Sequence, residues 1–189
     1  SERLRSEARR DRELVIGFHI AALVVAAATG WLFEYLVLWV LPLLTVVQAI
    51  LRLRAIAGPS IGCNYDPSHM FWQGIDPIAA IRVLGDAIFH VHAKDTQIYP
   101  ANLPSAGVLD TKNYTDERNR AWIFRTCGYG HDAGWWKEFV STLRMYGYDY
   151  VLSIEHEDSL MSAEEGLTKA AAFLNGLIIQ EKPGAAWWA

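Results

Sequence analysis

Cysteine is scarce. Cys63 and Cys127 are the only two in 189 residues, and no CxxC pair occurs. That excludes a disulfide framework and a thiolate zinc site, and it fits a reducing compartment. Positive charge is not in excess either. The net charge is −4, and residues 58–189 carry no basic stripe, which argues against a nucleic-acid partner. Charge of either sign nearly vanishes between residues 14 and 51, where Glu34 stands alone. Paired histidine boxes of the HxxxH or HxxHH type are missing, which leaves no ligand set for a histidine-rich di-iron centre.

What is present divides into two unlike parts. "SERLRSEARRDRE" is a mixed-charge, helix-prone lead with five arginines. "LVIGFHIAALVVAAATG" and "WLFEYLVLWVLPLLTVVQAIL" follow, two apolar runs separated near Gly30. Each has about the length of a spanning helix and shows no polar face. Arginines flank both ends, Trp31, Tyr35 and Trp39 suit an interface, and Pro42 is tolerable in a membrane helix. The expectation is a transmembrane hairpin over residues 14–51 with both flanks cytoplasmic. The stretch "VLWVLPLLTVVQAILRLRAIA" resembles a transmembrane segment of the membrane fatty acid desaturases. Without the histidine boxes, that resemblance implies a membrane origin for residues 1–57 and not desaturase activity.

Residues 58–189 read as strands alternating with helices. "SIGCNYD", "AIFHVHAKD" and "YDYVLSIEHED" are strand-like. "DPIAAIRVLG" is helical, with Asp76 as N-cap and Pro77 in the first turn. "WWKEFVSTLRMYG" is helical and stops at Gly147. Ser162 and Glu165 form a capping-box pattern ahead of the last helix. Such alternation predicts a parallel sheet covered by helices. Residues 96–134 show no clear element and read as a long lid-like excursion, with Trp122, Phe124, Tyr129, Trp135 and Trp136 packing it.

The chemistry-bearing side chains gather where those strands end, the edge that binds ligands in parallel α/β folds. Asp66 and His69 follow the first strand. His90, His92, Lys94 and Asp95 lie along the second. Glu155, His156, Glu157 and Asp158 close the third. His90 and His92 share a face because side chains alternate along a strand, with His92 nearer the edge and His90 a core or supporting residue. Glu155 and Glu157 also share a face, and either can be a ligand. A carboxylate from the first strand, an imidazole from the second and a carboxylate from the third suit Mn²⁺, Mg²⁺, Co²⁺ or Zn²⁺.

"NYDPSHMFWQGIDP", "IFHVHAKDT", "FRTCGYGHD" and "GYDYVLSIEHEDSLMSAEEGL", in that order, resemble the sugar phosphate isomerase/epimerase family of xylose-isomerase-like TIM barrels. The resemblance spans residues 59–189. It implies a fold that is α/β, a partial (β/α) TIM barrel of about three βα units, preceded by the two-helix apolar hairpin. It implies Asp66, His92 and Glu155 as metal ligands and Glu155 and His69 as catalytic residues. His69, Lys94 and His131 then bind a sugar or sugar phosphate. The implied reaction is metal-assisted proton transfer beside a sugar carbonyl. The strand-five glutamate of that family has no counterpart here, so impaired catalysis is expected. The expected organisation is a fusion near residue 58, with a cytoplasmic catalytic part anchored by the hairpin. Three strands cannot close a barrel, so an open sheet edge with a tendency to self-associate is also expected.

Overall fold

In the computed structural model, residues 46–182 and 184–185 are described. The apolar hairpin expected over residues 14–51 lies outside the described residues, apart from Val46 to Leu51. Those six begin helix α1 (Val46–Ala57). Among the described residues no helix is long and apolar enough to cross a membrane. The second of two compact units runs from Leu53 to Ala189 and holds the end of α1 and every strand and helix after it.

Helix α1 stops where Gly58, at φ +81°, returns its N–H to the Arg54 carbonyl at 2.8 Å. Arg54 then ties the following turn down, donating to the Ile61 carbonyl at 2.8 Å and to Asp86 Oδ2 at 2.6 Å. The chain enters β1 (Cys63–Tyr65), then α2 (Ser68–Trp72) and α3 (Pro77–Leu84). Asp76 caps α3 as expected, its Oδ1 accepting from the Ile78 and Ala79 N–H groups at 2.8 and 3.3 Å. Strand β2 (Ile88–Ala93) pairs parallel with β1 on one side and with β5 (Leu152–Ile154) on the other. Helix α5 (Ala133–Met145) precedes β5, and α6 (Ala163–Asn175) follows it.

The sheet has two unlike faces. Tyr65, Val91 and Ala93 point into the core with Ile81, Trp136 and Phe139. Helices α3 and α5 pack together there, and the Tyr65 ring sits 6.1 Å from that of Phe139. Burying each such large apolar side chain stabilises the fold by about 1.5–3 kcal/mol. The opposite face carries Asn64, His90, His92 and Ser153, none of them buried. In a closed barrel that face would line the interior, and period-two alternation alone assigns it.

The excursion over residues 96–134 is not the element-free loop expected from its sequence. It contains a second sheet, with β3 (Asp95–Ile98) antiparallel to β4 (Trp122–Arg125). Each strand has four residues, too few to show alternation in the sequence. The 23-residue connection between them includes a short helix α4 (Leu103–Ala106) and is held by side chains. Buried Asp110 accepts from the Ala121 and Lys112 N–H groups at 2.7 and 3.1 Å. Arg120 lies over the rings of Tyr114 and Trp122, at 4.6 and 5.1 Å.

Candidate metal centre

Three strand ends build the centre. Strands β1, β2 and β5 run parallel in the order β1-β2-β5, so their C-terminal tips share one edge. Asp66 follows Tyr65, whose partner across the ladder is Val91. His92 pairs with Ser153, and Glu155 lies two residues beyond on the same face. The Glu155 N–H extends the ladder by bonding the Ala93 carbonyl at 3.3 Å. One ligand atom each from Asp66, His92 and Glu155 falls within 4.8 Å of the others. His92 Nδ1 is 2.9 Å from Glu155 Oε2 and 3.9 Å from Asp66 Oδ2.

Local bonds hold these groups in place. The Ser68 N–H donates to Asp66 Oδ1 at 2.9 Å, and the Ser68 carbonyl accepts from Thr96 Oγ1 at 2.7 Å. That leaves Asp66 Oδ2 turned toward His92. His92 Nε2 lies 3.2 Å from Asn64 Nδ2 on the neighbouring strand. For Nδ1 to bind a cation, the ring proton must sit on Nε2, and the Asn64 amide must turn its oxygen toward it. Asn64 thus orients the imidazole. Its place two residues before Asp66 on the same strand face was the sequence signal for this, and it was not read.

Lys94 lies at the heart of the cluster. Its side chain is 1% exposed, and its Nζ is 3.4 Å from Asp66 Oδ2, 3.0 Å from Glu155 Oε2 and 3.1 Å from Glu157 Oε2. The Phe124 ring closes over the ammonium at 4.5 Å. Burial works against the charge on Lys94, but Asp66, then Glu155 and Glu157, outweigh it and raise its pKa. Burial likewise favours a protonated Glu155, and Lys94 and His92 overcome it, lowering the Glu155 pKa. Both partners therefore move toward the ion pair.

His69 stands at the mouth on α2. Its Nε2 is 3.6 Å from Asp66 Oδ2, beyond hydrogen-bond reach, and about half its side chain is exposed (49%). His131 belongs to a separate cluster. Asp95, fully buried, takes the His131 Nδ1 at 2.7 Å and the backbone N–H groups of Gly128, Gly130 and His131. The far side of the His131 ring stacks on Phe71 at 3.9 Å. His90 sits behind His92, the ring centroids 5.6 Å apart.

The donor set fits a hard or borderline divalent cation: two carboxylates and an imidazole with no thiolate. The cysteines are unsuited to binding it. Burial pushes the Cys63 thiol up to about 11 and raises Cys127 further.

The family model described as a xylose isomerase-like TIM barrel matches residues 33–177. The chain belongs to the xylose isomerase-like TIM barrel family. The match begins at residue 33, takes in the whole stretch compared above with desaturases and runs across the junction expected near residue 58, and the desaturase resemblance is not supported. An uncharacterized protein of Bacillus subtilis (strain 168), YfiH, is 46% identical over 133 residues, which cover 70% of this chain and 42% of that protein. The crystal structure of a xylose isomerase domain protein from Planctomyces limnophilus is similar, with a TM-score of 0.52 and 25% identity. It aligns over 70% of this chain and 43% of that one. The chain thus spans under half the length of each of these two relatives.

Proposed function

We propose that this protein is a sugar or sugar phosphate isomerase or epimerase that works through a divalent cation held by Asp66, His92 and Glu155. The observation that carries the reading is the convergence of those three side chains, from three strand tips, within 4.8 Å. A cation bound there supplies Lewis acidity to the carbonyl and hydroxyl oxygens of a sugar. Glu155 is more than a ligand. It is ionised, reaches the open side of the sheet, and is the group placed to take a proton from the carbon beside the carbonyl. His69 is exposed at the mouth and free to hydrogen-bond a sugar hydroxyl, and we assign it substrate contact and proton delivery. The substrate contacts expected of Lys94 and His131 are not part of this reading, because Lys94 is buried among carboxylates and His131 is bonded to Asp95 in a separate cluster.

The reaction calls for two carboxylates on opposite sides of the sugar, and the described residues offer one. Glu157, the nearest other carboxylate, is committed to Lys94. Turnover by the 189-residue chain is therefore expected to be low even where metal binding is intact. Calorimetric titration with Mn²⁺ tests the centre. Binding should disappear in Asp66→Ala and in His92→Ala, with the thermal melt of each showing a folded protein. Unchanged Mn²⁺ affinity in both would remove the reading.

A further inference from the structure

The proposed centre has an unusual feature: its buried ammonium contacts the very oxygens a cation would use. Lys94 Nζ bonds Asp66 Oδ2 and Glu155 Oε2, the atoms that face His92 Nδ1. Its third partner, Glu157, is no member of the converging triad. Three carboxylates against one ammonium leave two negative charges. That matches a divalent ion.

We propose that Lys94 is a positioning residue that sets the charge of the metal centre, with Glu157 as its counter-ion. In the absence of metal, Lys94 keeps three carboxylates together that would otherwise repel one another. With metal present, its charge weakens binding and holds the centre at the valence of a divalent ion. The physical basis is Coulombic. Unit charges about 4 Å apart interact strongly at the effective dielectric of a partly buried site. The burial of Lys94 and the Phe124 ring over it keep water from screening that charge. A purely orienting lysine predicts the opposite sign, because losing a group that supports metal ligands commonly costs about 10–100-fold in affinity.

This inference rests on the proposed metal centre, and the experiment separates the two. Mn²⁺ affinity is measured by calorimetry for the full chain and for Lys94→Met, Glu157→Gln, the double variant and Asp66→Ala. Lys94→Met should bind about tenfold more tightly. Glu157→Gln, which leaves the ammonium uncompensated, should bind about tenfold more weakly. The double variant restores two negative charges and should return close to the parent value. Weaker or unchanged binding in Lys94→Met overturns the proposal. So does a double variant as weak as Glu157→Gln, which would make Glu157 a direct ligand. If Lys94→Met does not fold, Lys94→Gln, which keeps a polar head among the carboxylates, takes its place in both the single and the double variant, with the same expected and overturning results. If Asp66→Ala binds Mn²⁺ like the parent, the centre itself is misplaced. If Asp66→Ala loses binding while Lys94→Met gains none, only the role of Lys94 falls.

Discussion

At the scale of single residues, buried carboxylates organise this protein, and each does so by collecting N–H donors. Asp95 ties the loop over residues 128–131 to β3. Asp158 joins the end of β4 to the turn after β5, accepting from the Thr126 N–H at 2.8 Å, Arg125 Nε at 3.1 Å and the Leu160 N–H at 2.9 Å. Asp110 closes the connection between β3 and β4. Burial opposes the Asp110 charge, but the Ala121 and Lys112 N–H groups and the Lys112 ammonium hold its pKa down at about 2. A depressed carboxylate pKa contributes stability above the unfolded value, about 3.9, and loses it as pH falls toward the folded value. Urea midpoints measured from pH 5 to pH 2 should fall less steeply for Asp110→Asn than for the parent, with the variant already weaker at pH 5. Parallel curves would deny Asp110 this role. None of these three aspartates stood out as structural in the sequence, because each takes at least one donor from a segment more than ten residues away. Asp66, His92 and the pair Glu155 and Glu157 were legible as candidates, since each falls at the end of a readable strand, and the resemblance singled out Glu155.

At the scale of elements, local chemistry placed the helix ends well. Asp76 and Ser162 cap their helices as expected, and Ser162 Oγ accepts from the Glu165 N–H at 3.2 Å. The reciprocal half of that box is absent, because the Glu165 carboxylate instead pairs with Lys169 at 2.6 Å. Helix α5 ends at Met145, and Gly147 takes the left-handed position after it at φ +83°. The Tyr148 N–H then reaches back to the Leu143 carbonyl at 3.0 Å and the Gly147 N–H to that of Arg144 at 3.1 Å, the double bond of a Schellman end. Gly166, inside α6, has a different cause. A Cβ there would lie 2.1 Å from His156 Nε2, so α6 and the segment that follows β5 approach through this glycine. Alanine normally improves a helix interior by about 1 kcal/mol over glycine. Here Gly166→Ala should lower stability by about 1–2 kcal/mol. In a His156→Ala background the same change should raise it. A chemical-denaturation cycle over the four proteins checks this, and a stabilising effect in both backgrounds would exclude the contact. The β3–β4 pair was illegible for the converse reason, because its strands are too short to carry a period and its partners meet only across a long connection.

At the scale of the whole molecule, the described residues form an open sheet with a helix-covered apolar face and a polar face bearing the candidate metal centre. Cys63 reports on the integrity of that sheet. It is 3% exposed and three residues from Asp66, and burial pushes its thiol up to about 11. Thiol labelling of the native protein should therefore proceed through unfolding, and Mn²⁺ should retard it. A ligand at a hundredfold excess over its dissociation constant stabilises the folded state by about 2.7 kcal/mol, which slows opening-limited labelling about 100-fold. Labelling that ignores Mn²⁺ in the parent protein would mean the bound ion is not linked to folding. The sequence by itself determined the alternation of strands and helices and the strand edge on which the chemistry lies. Those depend on local propensity and on a period of two, which a chain carries in its order of residues. Tertiary structure alone decided that Lys94 is buried among three carboxylates, that Asn64 steers His92, and that an apparent loop is a second sheet. Each of those depends on which distant groups meet once the core has closed, and that is set by packing and desolvation.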